Sequence, residues 1–192
     1  MRSRRAILTA AAELATVEGL DGLSIGRLAE HVGMSKSGLY AHFGSKEELQ
    51  IATVDTAREI FDRAVTDRAV TAAEGLPRLL ATCEAFLDYL DRGVFPGGCF
   101  FVSAAVELDA KEGRLADHLR EVYAEIIDDL VVQAVKAVEL GELAATTDVG
   151  QLVFELDSLM LGANVAFAFF KDPQALDRAR RGIDARLEAA RV

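Results

Sequence analysis

The sequence predicts an all-α protein, on three observations. Ala, Leu, Val and Glu dominate, while Pro is rare (3) and Trp is absent, a composition that favours helices. No run alternates apolar and polar residues as a half-buried strand does. Residues 24–46, from Ser24 to Lys46, read as two short helices joined by a tight glycine turn, with a third helix starting directly after. That is a helix-turn-helix, and it points to DNA.

The first motif helix has Ile25, Leu28, Ala29 and Val32 at helical spacing, with Ser24 as N-cap. Gly33 ends it, since a left-handed C′ residue costs glycine little. Ser35 caps the second helix, which Leu39 and Phe43 anchor, and Gly44 ends that one. Ser45-Lys46-Glu47-Glu48 is a capping box opening another. Lys36, Ser37, Gly38, Tyr40, Ala41 and His42 are left on faces turned from the core. Lysine donates to guanine or phosphate, hydroxyls hold phosphate oxygens, and Gly38 and Ala41 allow close approach to a groove. The competing reading is an ordinary helical hairpin in a globular core.

The string from Gly33 to Leu49 resembles the DNA-binding signature of the TetR family of bacterial transcriptional regulators. The preceding segments, Arg4–Leu14 and Glu18–Ile25, extend the likeness over about the first 50 residues. The resemblance implies a three-helix DNA-binding head (residues 1–46) on a helical ligand-binding and dimerisation body (47–192). It places Lys36, Ser37 and Gly38 facing bases from the major groove, Tyr40 facing phosphate, and His42 and Lys46 near the backbone. Ser24, Arg27 and Ser35 complete the expected DNA-binding set. Ile25 and Gly26 depart from the family pattern, where some relatives carry polar contacts. Gly38 offers no side chain for readout, so specificity is expected to rest on Lys36, backbone fit and DNA shape.

The formal net charge of −10 looks wrong for a DNA binder, but its distribution explains it. Residues 1–50 hold six basic (2, 4, 5, 27, 36, 46) and six acidic residues, so the excess acid lies in 51–192. A head of zero net charge has weak non-specific affinity and relies on a dimer. Met1-Arg2-Ser3-Arg4-Arg5 runs into an amphipathic helix without an apolar leader core, so a cytoplasmic setting is expected. No disulfide between Cys83 and Cys99 is expected there. The apolar stretch Ser158–Phe170 has 13 residues where a membrane span needs about 20, and reads as a buried helix.

Further on, a helix from Ser45 continues past Val65 as a link to the body. Pro77 opens the next, and Gly93–Gly98 is a loop. Helices follow from Cys99 to about Gly113, from Arg114 to about Leu140, from Thr147-Asp148 to Phe170, and from Pro173 to about Ala190. In the family, the last two long helices form a four-helix dimer interface. The resemblance assigns it to Leu152, Leu156, Leu159, Ala163, Phe167, Leu176, Ile183 and Leu187, though the same stripe serves equally as protomer core.

The resemblance also places an inducer cavity among the middle helices, with Phe86, Tyr89, Phe100, Ser103, Glu107 and Tyr123 as its lining. Such a lining suits a small hydrophobic or aromatic ligand. Each aromatic also reads as ordinary core, and Glu107 as either a buried carboxylate needing a partner or a solvated one. Cys83, Cys99 and His118 lack metal-ligand spacing, so no metal or cofactor is expected. A redox role for Cys99 at a helix start is the less favoured alternative to a plain buried thiol. No nucleophile elbow, phosphate loop or acid–base pair argues for an enzyme, and no catalytic residue is assigned. The expectation is a homodimeric regulator, a repressor released from a double-stranded DNA operator by a small-molecule inducer. The alternative is an activator, or a regulator acting through a protein partner. No membrane partner is expected.

Overall fold

The computed structural model describes residues 4–192, so Arg2, counted in the basic group of the head, lies outside them. The helices are α1 (Arg4–Glu18), α2 (Ile25–Val32), α3 (Lys36–Phe43), α4 (Lys46–Ala64), α5 (Thr66–Ala69), α6 (Leu76–Asp91), α7 (Phe100–Leu108), α8 (Arg114–Glu139), α9 (Val149–Asn164) and α10 (Ala175–Glu188). Between α9 and α10, Val165–Phe169 form a π-helical turn. Among the described residues there is no strand, only an isolated bridge between Leu143 and Arg191. The fold is all-α.

Two boundaries differ from the sequence reading. The helix after Ser45 stops at Ala64 instead of running past Val65, and α5 follows as a separate turn. Helix α7 ends at Leu108, short of Gly113, which lies at φ +110.

The chain forms two compact units, each built from two separate stretches of sequence. One runs to Ile60 and includes Phe95–Tyr123; the other is Phe61–Val94 with Ala124–Val192. The physical reason is packing: α1 lies against α7 as well as α2, so the head shares a unit with a middle helix. In this first unit, Ile7, Leu8, Ala11, Leu20, Leu23, Leu28, Leu39 and Leu49 are buried. Burying each leucine or isoleucine among them is worth about 1.5–3 kcal/mol.

In the second unit, α6, α9 and α10 pack on one another. Leu79, Leu87, Leu152, Leu156, Ile183 and Leu187 are buried in it. Arg180 of α10 grips Glu84 of α6 with Nε 2.9 Å from a carboxylate oxygen, and Arg186 pairs with Glu155. The first free N–H of α6, on Leu76, donates to Glu142 at 2.8 Å. Cys83 is fully buried here, which pushes its thiol up to about 12 and leaves it inert as a nucleophile. Cys99 is also buried, and neither cysteine is in a disulfide.

Val149–Phe169 make 21 residues, longer than the 13 counted from sequence, and by length and composition are apolar enough to cross a membrane. One face of this segment (Leu152, Val153, Leu156, Met160, Ala163) is buried in the unit, as in the core helix of a bundle.

Candidate nucleic-acid interface

The helix-turn-helix is built by caps. Ser24 accepts from the Arg27 N–H at 3.2 Å to start α2, and Ser35 accepts from the Gly38 N–H at 3.1 Å to start α3. Gly33 closes α2 at φ 69, ψ 35, its N–H returning to the carbonyls of Ala29 and Glu30. That left-handed geometry is why glycine stands there. Leu28, Ala29 and Val32 of α2 meet Leu39 and Phe43 of α3 in the core, and Arg4 lies over the Phe43 ring, 5.3 Å from its centroid.

Burial of Leu39 and Phe43 turns the other face of α3 outward. Lys36, Ser37, Tyr40 and Ala41 are exposed, Tyr40 at 59 %. Ser37 Oγ lies 3.3 Å from Ser35 Oγ. His42 is half-buried, its ring tilted against Phe43 at 6.1 Å. The Lys36 stem passes over Gly26, where a Cβ would stand 3.3 Å from Lys36 Cε. These groups form a short helix face of one lysine, hydroxyls and small residues. Such a face can enter a major groove, donating to base edges from Lys36 and to phosphate from Tyr40.

Four residues expected at DNA are committed within the chain. Arg27 forms a two-pronged pair with Glu18, its Nε donating at 2.7 Å, and also faces Glu30. That hydrogen bond holds the Glu18 carboxyl below its usual range and raises the Arg27 guanidinium. Lys46 donates to the Asp21 carbonyl. The Ser24 and Ser35 hydroxyls are taken up by their caps. The serine caps are local and were expected from spacing, but the Arg27 and Lys46 pairings were not, because their partners lie on a neighbouring helix or turn.

Of the six residues expected to line a pocket, two fall in the second unit and four in the first. Phe86 and Tyr89 cluster with Phe61 in the second unit, at centroid distances of 5.8 Å between the pair and 6.4 and 5.7 Å to Phe61. Phe100 and Tyr123 meet through Phe101 in the first unit, at 5.4 and 6.2 Å. Ser103 is half-buried there. Tyr123 also edges a small cavity of about 110 Å³ with Ala105, Leu108 and Leu119. Glu107 is engaged within the chain: its carboxylate accepts from the Leu20 and Asp21 N–H groups, 2.7 and 2.9 Å away. Neither the sequence nor its periodicity gave a signal for a contact 86 residues apart.

Most residues expected at the dimer interface are buried within the chain itself. Leu152, Leu156, Ala163, Leu176, Ile183 and Leu187 are each below 9 % exposed, and Leu159 and Phe167 are half-buried. The strongest apolar stripe was therefore the inner one. The outer surface of the same segment carries Phe154, Val165, Phe169 and Phe170, at 67, 45, 76 and 70 % exposure.

Two family models match this chain. One, described as bacterial regulatory proteins of the tetR family, covers residues 7–53, and the other, a tetracyclin repressor-like C-terminal domain, covers 75–183. The HTH-type transcriptional activator FasR of Mycolicibacterium smegmatis is 32% identical over 88 residues, 46% of this chain and 40% of that protein's length. The crystal structure of a TetR transcriptional regulator from Chloroflexus aurantiacus superposes with a TM-score of 0.86 at 25% identity, covering 98% of this chain and 95% of that one. A cysteine-substituted form of the TetR family regulator CifR, complexed with 26-bp double-strand operator DNA, gives 0.80 at 25%, covering 97% and 96%. With the helix-turn-helix and the helical body each matched by their own family model, the chain belongs to the TetR family and is a DNA-binding transcriptional regulator.

Proposed function

We propose that this protein is a homodimeric repressor that leaves its operator when a small hydrophobic or aromatic molecule binds its body. The observation that carries the DNA half of this reading is the exposed α3 face, with Lys36, Ser37 and Tyr40 outward and Leu39 and Phe43 inward. Lys36 reads bases, and Tyr40, His42 and the α3 N-terminus hold phosphate. Arg27 and Lys46 act through the shape of the head, since their charges are met by Glu18 and by Asp21.

The dimer is supported by the outward apolar stripe of α9 and its π-turn. Phe154, Val165, Phe169 and Phe170 are exposed, and Phe154 lines a groove of about 380 Å³ with Glu155, Ser158, Leu159 and Arg186. Exposed aromatic patches of this kind mark interaction surfaces. A second copy fits, because one short reading helix binds too weakly alone, while two reach half-sites about 34–36 Å apart. The aromatic interiors around Phe86 and Tyr89 and around Phe100 and Phe101 support this ligand class.

The FasR likeness favours a second reading, in which DNA-bound protein activates transcription. A gel-shift titration against the DNA upstream of its own gene, repeated with a panel of hydrophobic compounds, separates the two. Loss of the shift with one compound supports induction. A compound-insensitive shift accompanied by promoter activation in a reporter strain supports the activator.

A further inference from the structure

The turn between α1 and α2 carries backbone groups that neither helix can satisfy, and it is gripped from outside the motif. The Leu20 and Asp21 N–H groups donate to the two oxygens of Glu107 on α7, at 2.7 and 2.9 Å. The Leu20 carbonyl accepts from Gln50 of α4 at 2.7 Å, and the Asp21 carbonyl from Lys46. The Asp21 carboxylate meets Lys111, just past α7, at 2.7 Å. At the end of α1, the Gly97 N–H donates to Thr16 Oγ1 at 3.2 Å. Gly19 lies at φ +88, and a Cβ there would come 2.6 Å from Glu107 Oε1. The turn is thus shaped around that carboxylate.

We infer that Glu107 is a positioning residue for DNA binding. By accepting both N–H groups it sets the angle at which α2 and α3 leave α1, and it ties that angle to the position of α7. The inference rests on the DNA-reading role proposed above and adds how the head is held. Two charge-assisted bonds on adjacent residues fix a direction, where one would allow pivoting. They also tolerate little slack: a shift of α7 by about 1 Å carries both beyond hydrogen-bond range. Phe100 and Phe101 lie on the same helix, two turns from Glu107, so displacement of these rings moves the carboxylate.

Electrostatics alone argues the opposite sign, which makes the test sharp. Removing an acid from a DNA-binding unit strengthens its attraction for phosphate. Removing a positioning bond weakens operator binding. The experiment uses the whole chain and a duplex enriched from a random-sequence pool by the wild-type protein. Glu107→Gln keeps the shape but turns an NH2 toward one of the two N–H groups. It is expected to bind that duplex at least about tenfold more weakly. Its salt dependence should match wild type, since no phosphate contact is lost. Hydrogen exchange should quicken at Leu20 and Asp21 and through α2 and α3, with α9 and α10 unchanged. Glu107→Asp, which keeps the charge but falls short of the turn, is expected to follow, and carries the test if the Gln variant does not fold. Lys111→Gln breaks only an exposed ion pair and should bind nearly as wild type. Wild-type affinity in the Glu107 variants, or faster exchange confined to Leu20 and Asp21, would overturn the inference. If wild-type protein enriches no sequence, the DNA-reading role fails instead, and the exchange pattern still decides whether Glu107 orients the head.

Discussion

Lys36 and Tyr40 share a helix face but have different partners in the reading proposed here, and mutation separates them. Lys36→Ala is expected to change preference among operator variants, by about 1–3 kcal/mol at the base it reads. Tyr40→Phe should weaken all sequences alike. Competition binding against single-base operator variants measures both. Arg27→Ala should leave the salt slope of binding unchanged, because its guanidinium is already met by Glu18. A second residue-level test concerns Asp157, whose carboxyl is pushed up by burial. A raised carboxyl disfavours the charged form in the folded state, so stability is present at low pH and lost as pH rises through the folded value. Asp157→Asn is therefore expected to raise the Tm by a few degrees at about pH 7 and to leave it unchanged at about pH 3. Residues such as Ser35, Gly33 and Leu39 were legible in the sequence, because their roles depend on neighbours within one turn; local spacing offered little more than that. It gave no signal for Glu107, Arg27 or Lys46, whose partners are fixed by tertiary packing.

Among the helices, α2 and α3 are short enough that their caps decide whether they form. Ser35→Ala leaves the Gly38 N–H without its acceptor and should cost about 1 kcal/mol by chemical denaturation. Gly33→Val forces a β-branched residue to φ 69 and should cost more than the cap. Caps, breakers and apolar spacing are local signals, which is why most helices were readable from sequence. The faces of α9 were harder. Its inner stripe, with Leu152 and Leu156, and its outer stripe, with Phe154 and Val165, are both apolar, so spacing could not say which meets another molecule. The π-turn at Val165–Phe169 has no sequence signature and alters the direction in which Phe169 and Phe170 emerge.

For the whole molecule, acid stability follows from carboxylates held below their usual range. Glu18 is held there by its hydrogen bond from Arg27, Asp21 by that from Lys111, and Glu155 by those from Gln151 and Arg186. Depressed carboxyl values contribute stability above the unfolded value and lose it as pH falls through the folded one. The Tm should therefore fall below about pH 4, modestly for each pair because each is at least partly exposed to solvent. Assembly is the other property at this level. Phe169→Asp with Phe154→Asp is expected to give a folded monomer in sedimentation, with operator affinity reduced by at least about a hundredfold.

The most direct measurement is selection of duplexes from a random-sequence pool by the purified chain, followed by titration of the enriched sequence at several salt concentrations. A two-fold symmetric site is expected, its half-sites about one helical turn or a multiple apart, with salt-dependent binding that disappears in Lys36→Ala/Tyr40→Ala. Binding that enriches no sequence, or that survives loss of both residues, would contradict the assignment of α3 as the reading helix.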